Sequence, residues 1–136
     1  MDFTGLKEFM AKTGWGYLAT TDGELPGVRP MGGCAWVGKE FWCATGDPTA
    51  KVDQLRRVPY AEYCFANANG DHVRLFGKCV VSTDLAEKEK LLELRPGLRN
   101  YVKDASDPHY VVIKMTPELV RFMEMTEMAY KEVSLD

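Results

Sequence analysis

Three side chains suited to an anionic ligand lie close together in the sequence, at Arg29, Thr49 and Lys51. An arginine presents a fork of N–H donors that matches a phosphate group, and a lysine supplies a compact positive charge. Thr49 and Lys51 follow the breaker Gly46-Asp47-Pro48, where a short helical pattern begins. Because a helix N-terminus carries unpaired N–H groups and a partial positive charge, this arrangement predicts a phosphate-binding site.

The segments around these residues read as a hairpin that leads into a helix. Two strand-like runs, Val28–Val37 and Glu40–Thr45, are joined by the turn Gly38-Lys39, and the helical pattern covers Ala50–Val58. Gly32-Gly33 interrupts the first run. Paired glycines inside a strand indicate a bulge, or a place where backbone or a ligand approaches closely. A barrel corner without a ligand role is the alternative that the sequence leaves open.

The remaining pattern predicts one mainly β domain over residues 1–136, with a helix in residues 1–13 and an irregular tail over residues 129–136. Alternating or apolar runs bounded by turn residues give six or seven strands with hairpin connections. Barrel closure is the natural way to remove their unpaired edges. The further elements predicted are helices Phe3–Lys12 and Leu85–Leu94 and strands Trp15–Thr21, Tyr60–Ala66, His72–Ser82, Tyr110–Met115 and Glu118–Met125.

Composition narrows the class of protein. The net charge of −3 gives no basic field for nucleic acid, and no apolar stretch has the length of a membrane span. We expect no secretory signal, because Met1-Asp2-Phe3 lacks a cationic start and an apolar run, and the four cysteines form no Cys-x-x-Cys pair. We therefore expect a cytoplasmic protein with Cys34, Cys43, Cys64 and Cys79 as reduced core thiols. No metal site is expected, because the two histidines lack ligand spacing.

The ordered set Arg29-Pro30-Met31, Thr45, then Thr49-x-Lys51 resembles the flavin-binding pattern of the pyridoxamine phosphate oxidase-like split barrels. The segment Leu18–Gly23 is similar to the opening hairpin of that family. The resemblance implies a split antiparallel β-barrel with peripheral helices that binds FMN. It also implies a homodimer with FMN at the subunit interface. The implied activity is a flavin-dependent oxidoreductase that transfers hydride between a small molecule or a nicotinamide and an acceptor.

The resemblance also assigns roles to individual positions. Lys51 and Thr49 would hold the FMN phosphate, Arg29 would reach the phosphate or ribityl chain, and Thr45 with Gly46 would touch the ring edge or ribityl. Pro30 and Met31 would lie along the isoalloxazine, and His72 would approach the ring from either subunit. The cofactor-binding residues implied are thus Arg29, Pro30, Met31, Thr45, Gly46, Thr49, Lys51 and His72. Tyr101 and His109 fall in a variable region that would border a substrate pocket.

Two departures separate the chain from the pyridoxamine phosphate oxidases themselves. Ala50 stands where those enzymes often carry a second cation, and their C-terminal substrate-phosphate residues have no counterpart here. Three alternatives therefore stand beside the FMN oxidoreductase. One is a flavin- or haem-binding sensor or carrier without turnover. Another is a deazaflavin-dependent reductase, and the third is a dimerisation module without a ligand.

Overall fold

The computed structural model describes residues 1–136, and most of the regular structure is β-strand. The helices are α1 (Phe3–Thr13), α2 (Ala50–Arg57) and α3 (Leu85–Leu94), with a 3₁₀ helix at Pro96–Asn100. The strands are β1 (Gly16–Thr21), β2 (Pro26–Met31), β3 (Cys34–Val37), β4 (Glu40–Gly46), β5 (Tyr60–Ala66), β6 (His72–Ser82), β7 (Tyr110–Glu124) and β8 (Ala129–Glu132).

Seven strands form one curled antiparallel sheet in the order β2-β1-β5-β6-β7-β4-β3, and β8 pairs with β7. The sheet curls into a half-barrel with helices at its periphery, so the predicted fold class is confirmed. The two end strands, β2 and β3, are consecutive in the chain and are joined through Gly32-Gly33. Each end strand has a partner on one side only, which leaves backbone groups of its other edge unpaired.

The core is the inner face of the curled sheet, closed by α1 and α2. Alternation along the strands selects the buried side chains. In β6, for example, Val73, Leu75 and Cys79 point inward, whereas His72 and Arg74 point outward. Helix α1 contributes Leu6 and Met10 to this core, and α2 contributes Leu55. Inward positions of neighbouring strands meet because side chains alternate between the two faces of a sheet.

The C-terminal third differs from the prediction in two ways. Pro117 does not end a strand: β7 runs through it, opposite Gly77, where the register with β6 shifts by a β-bulge. A proline is tolerated at a bulge because the local ladder is already interrupted there. The predicted tail over residues 129–136 is wrong for its first four residues, since Ala129–Glu132 form β8. Those four side chains are all exposed, so no hydrophobic alternation marks the strand.

The first strand run also divides, because Gly32-Gly33 separates β2 from β3. At the N-terminus, Asp2 caps α1, and its side chain accepts a hydrogen bond from the Gly5 N–H. Asp84 caps α3, and its carboxylate accepts a hydrogen bond from the Glu87 N–H at 3.0 Å.

The prediction of four reduced thiols is wrong for one pair. Cys34 and Cys43 stand directly opposite each other on β3 and β4, with Cα atoms 4.0 Å apart, and are joined by a disulfide. Cys64 and Cys79 are free. Sequence spacing did not reveal the pair, because it is the strand register that places the two side chains face to face. Reduced thiols were one ground for the expected cytoplasmic location, and that ground is lost for this pair.

None of the helices combines the length and the hydropathy that a transmembrane helix requires.

Candidate functional site

The start of α2 offers unpaired backbone donors. Thr49 occupies the N-cap position, but its hydroxyl donates to the Gly46 carbonyl at 2.9 Å and does not cap the helix. The first N–H to find an intrahelical partner is that of Asp53, which donates to the Thr49 carbonyl at 3.1 Å. The N–H groups of the first turn are therefore available to an anion, and the helix dipole favours negative charge there.

Arg29 is held in place beside α2 by hydrogen bonds from a single nitrogen. Its Nη1 donates to the carbonyls of Leu18 and Gly27 at 3.2 and 3.1 Å and to the Thr20 hydroxyl at 2.7 Å. Thr20 is buried and in turn donates to the Gln54 side-chain oxygen of α2 at 2.5 Å. This chain of bonds fixes the guanidinium next to the helix and leaves its Nε and Nη2 donors uncommitted.

Lys51 lies near Arg29, and the two cations have no acidic partner. The Lys51 ammonium makes no hydrogen bond or ion pair within the chain. Burial lowers the pKa of Lys51, and the positive charge of Arg29 lowers it further. Burial lowers the pKa of Arg29 as well. Burial disfavours the charge of both side chains, and Arg29 further disfavours the charge of Lys51, so a bound anion would stabilise the pair.

A pocket of about 480 Å³ opens at the seam between the two end strands, and its lining includes neither Arg29 nor Lys51. We call it the Gly32–Gly33 pocket. Thr45 and Gly46 line it, and the Thr45 hydroxyl makes no hydrogen bond within the chain. A Cβ on Gly46 would lie 3.9 Å from the Thr49 side chain, so the pocket adjoins the start of α2. Its lining consists of Trp15, Gly32, Gly33, Ala44, Thr45, Gly46, Leu98, Tyr101, Val102, Asp107, His109 and Tyr110.

The two glycines permit close approach, but to side chains of the same protein. A Cβ on Gly32 would come within 2.9 Å of the Trp15 ring, and one on Gly33 within 2.5 Å of the Leu98 side chain. Gly33 also has a φ of +66°, in the left-handed region that L-residues avoid. The Gly33 carbonyl accepts a bond of 3.2 Å from the Ala44 N–H, which ties the seam to β4. Both sequence interpretations, barrel corner and close approach, therefore describe part of this geometry.

Pro30 and Met31 take different positions within β2. Pro30 is exposed on the outer face of the sheet, whereas the Met31 side chain is buried in the core. Their side chains therefore do not share one surface for a flat ring. The free edge of β2 is the feature that a ring could use, because backbone groups on that edge have no neighbouring strand.

Within one chain, His72 does not lie beside Arg29, Lys51 or the Gly32–Gly33 pocket. It begins β6, three strands away from β2, on the outer face of the sheet, whereas Arg29 shares a face with the buried Met31. Three strand spacings correspond to about 14 Å. Both ring nitrogens of His72 are engaged, one with the Gly70 carbonyl and the other with the Tyr130 hydroxyl, each at 2.8 Å.

Tyr101 and His109 both line the Gly32–Gly33 pocket, as their position in the variable region suggested. Sequence reasoning did not identify Trp15, Leu98 and Val102 as neighbours of the same pocket. Trp15 precedes β1, while the other two residues belong to and follow the 3₁₀ helix. No local pattern connects them, because the contact is created by the curl of the sheet.

Comparison with known proteins identifies the fold family. A sequence model described as pyridoxamine 5′-phosphate oxidase matches residues 5–124. No curated protein matches the sequence.

Three solved structures are similar to the chain. A NimC/NimA family protein from Clostridium acetobutylicum has 24% identity and a TM-score of 0.84, with 96% of this chain and 90% of that chain covered. A pyridoxamine 5′-phosphate oxidase-related, FMN-binding protein from Nostoc punctiforme has 16% identity and a TM-score of 0.75, with 95% and 87% covered. A haem-binding protein from Mycobacterium smegmatis has 16% identity and a TM-score of 0.73, with 91% and 54% covered.

Below 25% identity these likenesses report the fold alone, and the two descriptions that name a ligand differ, one naming FMN and the other haem. The match of the family sequence model, in contrast, spans most of the chain. The protein belongs to the pyridoxamine 5′-phosphate oxidase family.

Proposed function

We propose that the protein binds FMN and acts as a flavin-dependent oxidoreductase. The observation that carries the proposal is the pair Arg29 and Lys51, two half-buried cations without an acidic partner beside an uncapped helix start. The phosphate of FMN would lie among Lys51, the free nitrogens of Arg29 and the N–H groups of α2. Each of these contacts is a charge-assisted hydrogen bond, the strong class of such bonds.

The Gly32–Gly33 pocket is the site that we propose for the isoalloxazine. It adjoins the start of α2 through Gly46, so a ligand whose phosphate lies at α2 can extend into it. Thr45 supplies an uncommitted hydroxyl there, and the edge of β2 supplies unpaired backbone groups. When bound, the flavin supplies hydride transfer, and the protein residues hold and orient it.

Thr49 needs one change to take part in phosphate binding. Its proton is committed to the Gly46 carbonyl, so the hydroxyl must rotate before it can donate to an anion. We therefore assign Thr49 a smaller share of the binding than Lys51, whose three N–H donors are all free.

We also propose that the protein is a homodimer with a flavin site at the subunit interface. The outer face of the sheet carries exposed apolar side chains at Tyr17, Tyr60 and Val80, as expected of a surface that another protein covers. His72 projects from the same outer face, so it could approach the flavin only from the partner subunit. Sedimentation velocity of the purified protein tests the dimer directly.

Among the alternatives, haem binding through His72 is disfavoured by its contacts. Both ring nitrogens of His72 are already hydrogen-bonded, and axial ligation would break the bond to the Tyr130 hydroxyl. A deazaflavin shares the ring and ribityl chain of FMN, so the cation pair does not by itself separate the two cofactors. Competition between FMN and a deazaflavin cofactor decides between them.

The experiment that tests the proposal compares FMN with riboflavin, which lacks the phosphate. The quenching of flavin fluorescence on titration with protein gives both dissociation constants. If the cation pair holds the phosphate, FMN binds at least about tenfold more tightly, as expected for one or more charge-assisted bonds. Equal affinities for the two flavins would contradict a phosphate site at Arg29 and Lys51.

A further inference from the structure

The two most exposed aromatic side chains of the protein line the same pocket. Tyr101 is 87% exposed and Trp15 is 64% exposed, and both border the Gly32–Gly33 pocket. They come from distant parts of the chain, one before β1 and the other after the 3₁₀ helix. Exposed aromatic rings gathered around one concave site indicate a surface for an apolar or planar ligand.

The remaining outer wall is apolar and close-packed. Leu98 lies against Gly33 and Trp15 against Gly32, and Val102 also lines the pocket. A flat ligand would find aromatic and aliphatic surface there over most of its area.

No lysine or arginine lines the pocket. The nearest arginines on and beside the 3₁₀ helix are already bonded. Arg95 donates to the Cys34 carbonyl at 2.9 Å, and Arg99 pairs with Glu89 at 2.9 Å. A phosphate ester on the ligand would therefore meet no free cation in this pocket, unlike the FMN phosphate at Lys51.

His109 provides one polar contact of defined orientation. Its Nδ1 lies 3.2 Å from the Asp47 carbonyl oxygen, which can only accept, so Nδ1 carries the proton of this bond. The Asp47 N–H donates in return to the His109 carbonyl at 2.9 Å. Nε2 is left free, as an acceptor in the neutral ring and as a donor in the charged ring.

The loop that bears His109 is braced from inside the protein. Lys88 is 4% exposed and its ammonium donates to the Asp107 carbonyl at 3.0 Å. The Tyr110 hydroxyl donates to the Lys88 carbonyl at 2.8 Å, which closes the brace on the other side of His109. The histidine is thus held before any ligand arrives, which lowers the entropic cost of binding.

From these observations we propose that the outer part of the Gly32–Gly33 pocket binds a small planar aromatic molecule that carries no phosphate. The ligand lies against Trp15 and Tyr101 and directs a hydroxyl or nitro oxygen at Nε2 of His109. The inference rests on the proposed function, in which the flavin ring takes the inner wall near Thr45. On this inference, the aromatic ligand in the outer part is the second substrate of the flavin-dependent reaction.

The test uses 4-nitrophenol and 4-nitrophenyl phosphate as matched probes on the FMN-loaded protein. Binding is followed in ¹⁵N-¹H spectra by the three tryptophan indole N–H signals, and Trp15→Phe assigns the signal of Trp15. We expect 4-nitrophenol to shift the Trp15 signal and to bind about tenfold more tightly than its phosphate ester. Tyr101→Ala should weaken binding of 4-nitrophenol about tenfold, whereas Leu25→Ala, in the exposed turn between β1 and β2, should leave it unchanged.

Three results would overturn the inference: equal affinity for the two probes, a shift confined to the other two indoles, or equal effects of Tyr101→Ala and Leu25→Ala. An unresponsive Trp15 signal that sharpens on dilution would assign this face to a second copy of the chain instead. Flavin affinity is measured in the same samples, and the titration is repeated on flavin-free protein. Loss of FMN binding would contradict the proposed function. The probe titrations on flavin-free protein would still show whether the pocket binds the aromatic ligand.

Discussion

Replacing Lys51 by methionine separates a ligand-binding role from a structural one. Methionine keeps the length and the apolar stem of the side chain but removes the charge. Lys51 makes no hydrogen bond or ion pair, so the substitution breaks no contact within the protein. Arg29→Met is a poorer test, because it would remove three hydrogen bonds that organise β1 and β2.

The expected loss of FMN affinity follows from one charge-assisted hydrogen bond, about 1.5–3 kcal/mol, or about 10- to 150-fold in the dissociation constant. Riboflavin affinity should be unchanged, because riboflavin has no phosphate for Lys51 to contact. The free energy of unfolding of the flavin-free protein should not fall, since burial and Arg29 already disfavour the charge. Flavin fluorescence quenching and urea denaturation measure these quantities.

Lys90→Met is the matched control, since Lys90 is an exposed lysine of α3 that makes no ion pair. It should leave both flavin affinities and stability unchanged. Parallel losses of FMN and riboflavin affinity in Lys51→Met would refute the reasoning, because they would place the lysine near the ring. A drop in stability of more than about 1 kcal/mol would show a structural role instead.

The lowered pKa of Lys51 also predicts the direction in which stability and FMN affinity change with pH. A lysine whose folded-state pKa lies below its usual value carries a penalty while charged, and the penalty disappears as pH rises through that pKa. Through Lys51 the flavin-free protein should therefore gain stability on the alkaline side, against the loss expected from Cys79 and Tyr110, whose pKa values burial raises to about 12. FMN affinity should fall on the alkaline side. Lys51→Met should abolish both trends, and their persistence in the variant would assign them to another group.

Other predictions concern the fold. Under denaturing, non-reducing conditions a thiol reagent should label two of the four cysteines, and all four after reduction; labelling of four without reduction would disprove the Cys34–Cys43 bond. Loss of this cross-link should cost about 2.5 kcal/mol of unfolding free energy by loop entropy. Gly77→Ala should destabilise by more than about 2 kcal/mol, because its Cβ would stand 2.2 Å from a backbone oxygen across the bulge; an unchanged melting temperature would argue against that bulge. Asp84→Ala should cost about 1 kcal/mol through loss of the α3 cap, while Thr83→Ala should cost less; equal effects would contradict the cap.

Elements bounded by proline, by a turn sequence or by a helix-capping residue were predictable from the sequence. Helix α2 ends before Pro59, β5 and β6 flank an Asn-Gly turn, and α3 starts after Asp84, all as the pattern indicated. The predicted strand end before Pro117 was wrong, because proline usually ends a strand. The bulge that accommodates Pro117 becomes visible only with Gly77 on the opposing strand. β8 was missed because all its side chains are exposed.

The site was predictable in part for a physical reason. Arg29 and Lys51 lie near each other as predicted, but not through the hairpin before α2. Arg29 lies on β2, which pairs with β1, and Thr20 of β1 connects it to Gln54 of α2. Distances across the sheet cannot be read from alternation, which gives the face of a residue but not the number of strands between two residues. That is why Trp15 was missed, and why the three-strand separation of His72 from β2 was not foreseen.

The absorption spectrum of the purified protein, recorded after adding FMN and desalting, tests the central claim most directly. A flavin held by the cation pair and the Gly32–Gly33 pocket should remain with the protein, with the absorption bands of oxidised FMN at one flavin per chain. A colourless protein after desalting, or a Soret band from haem, would contradict the account.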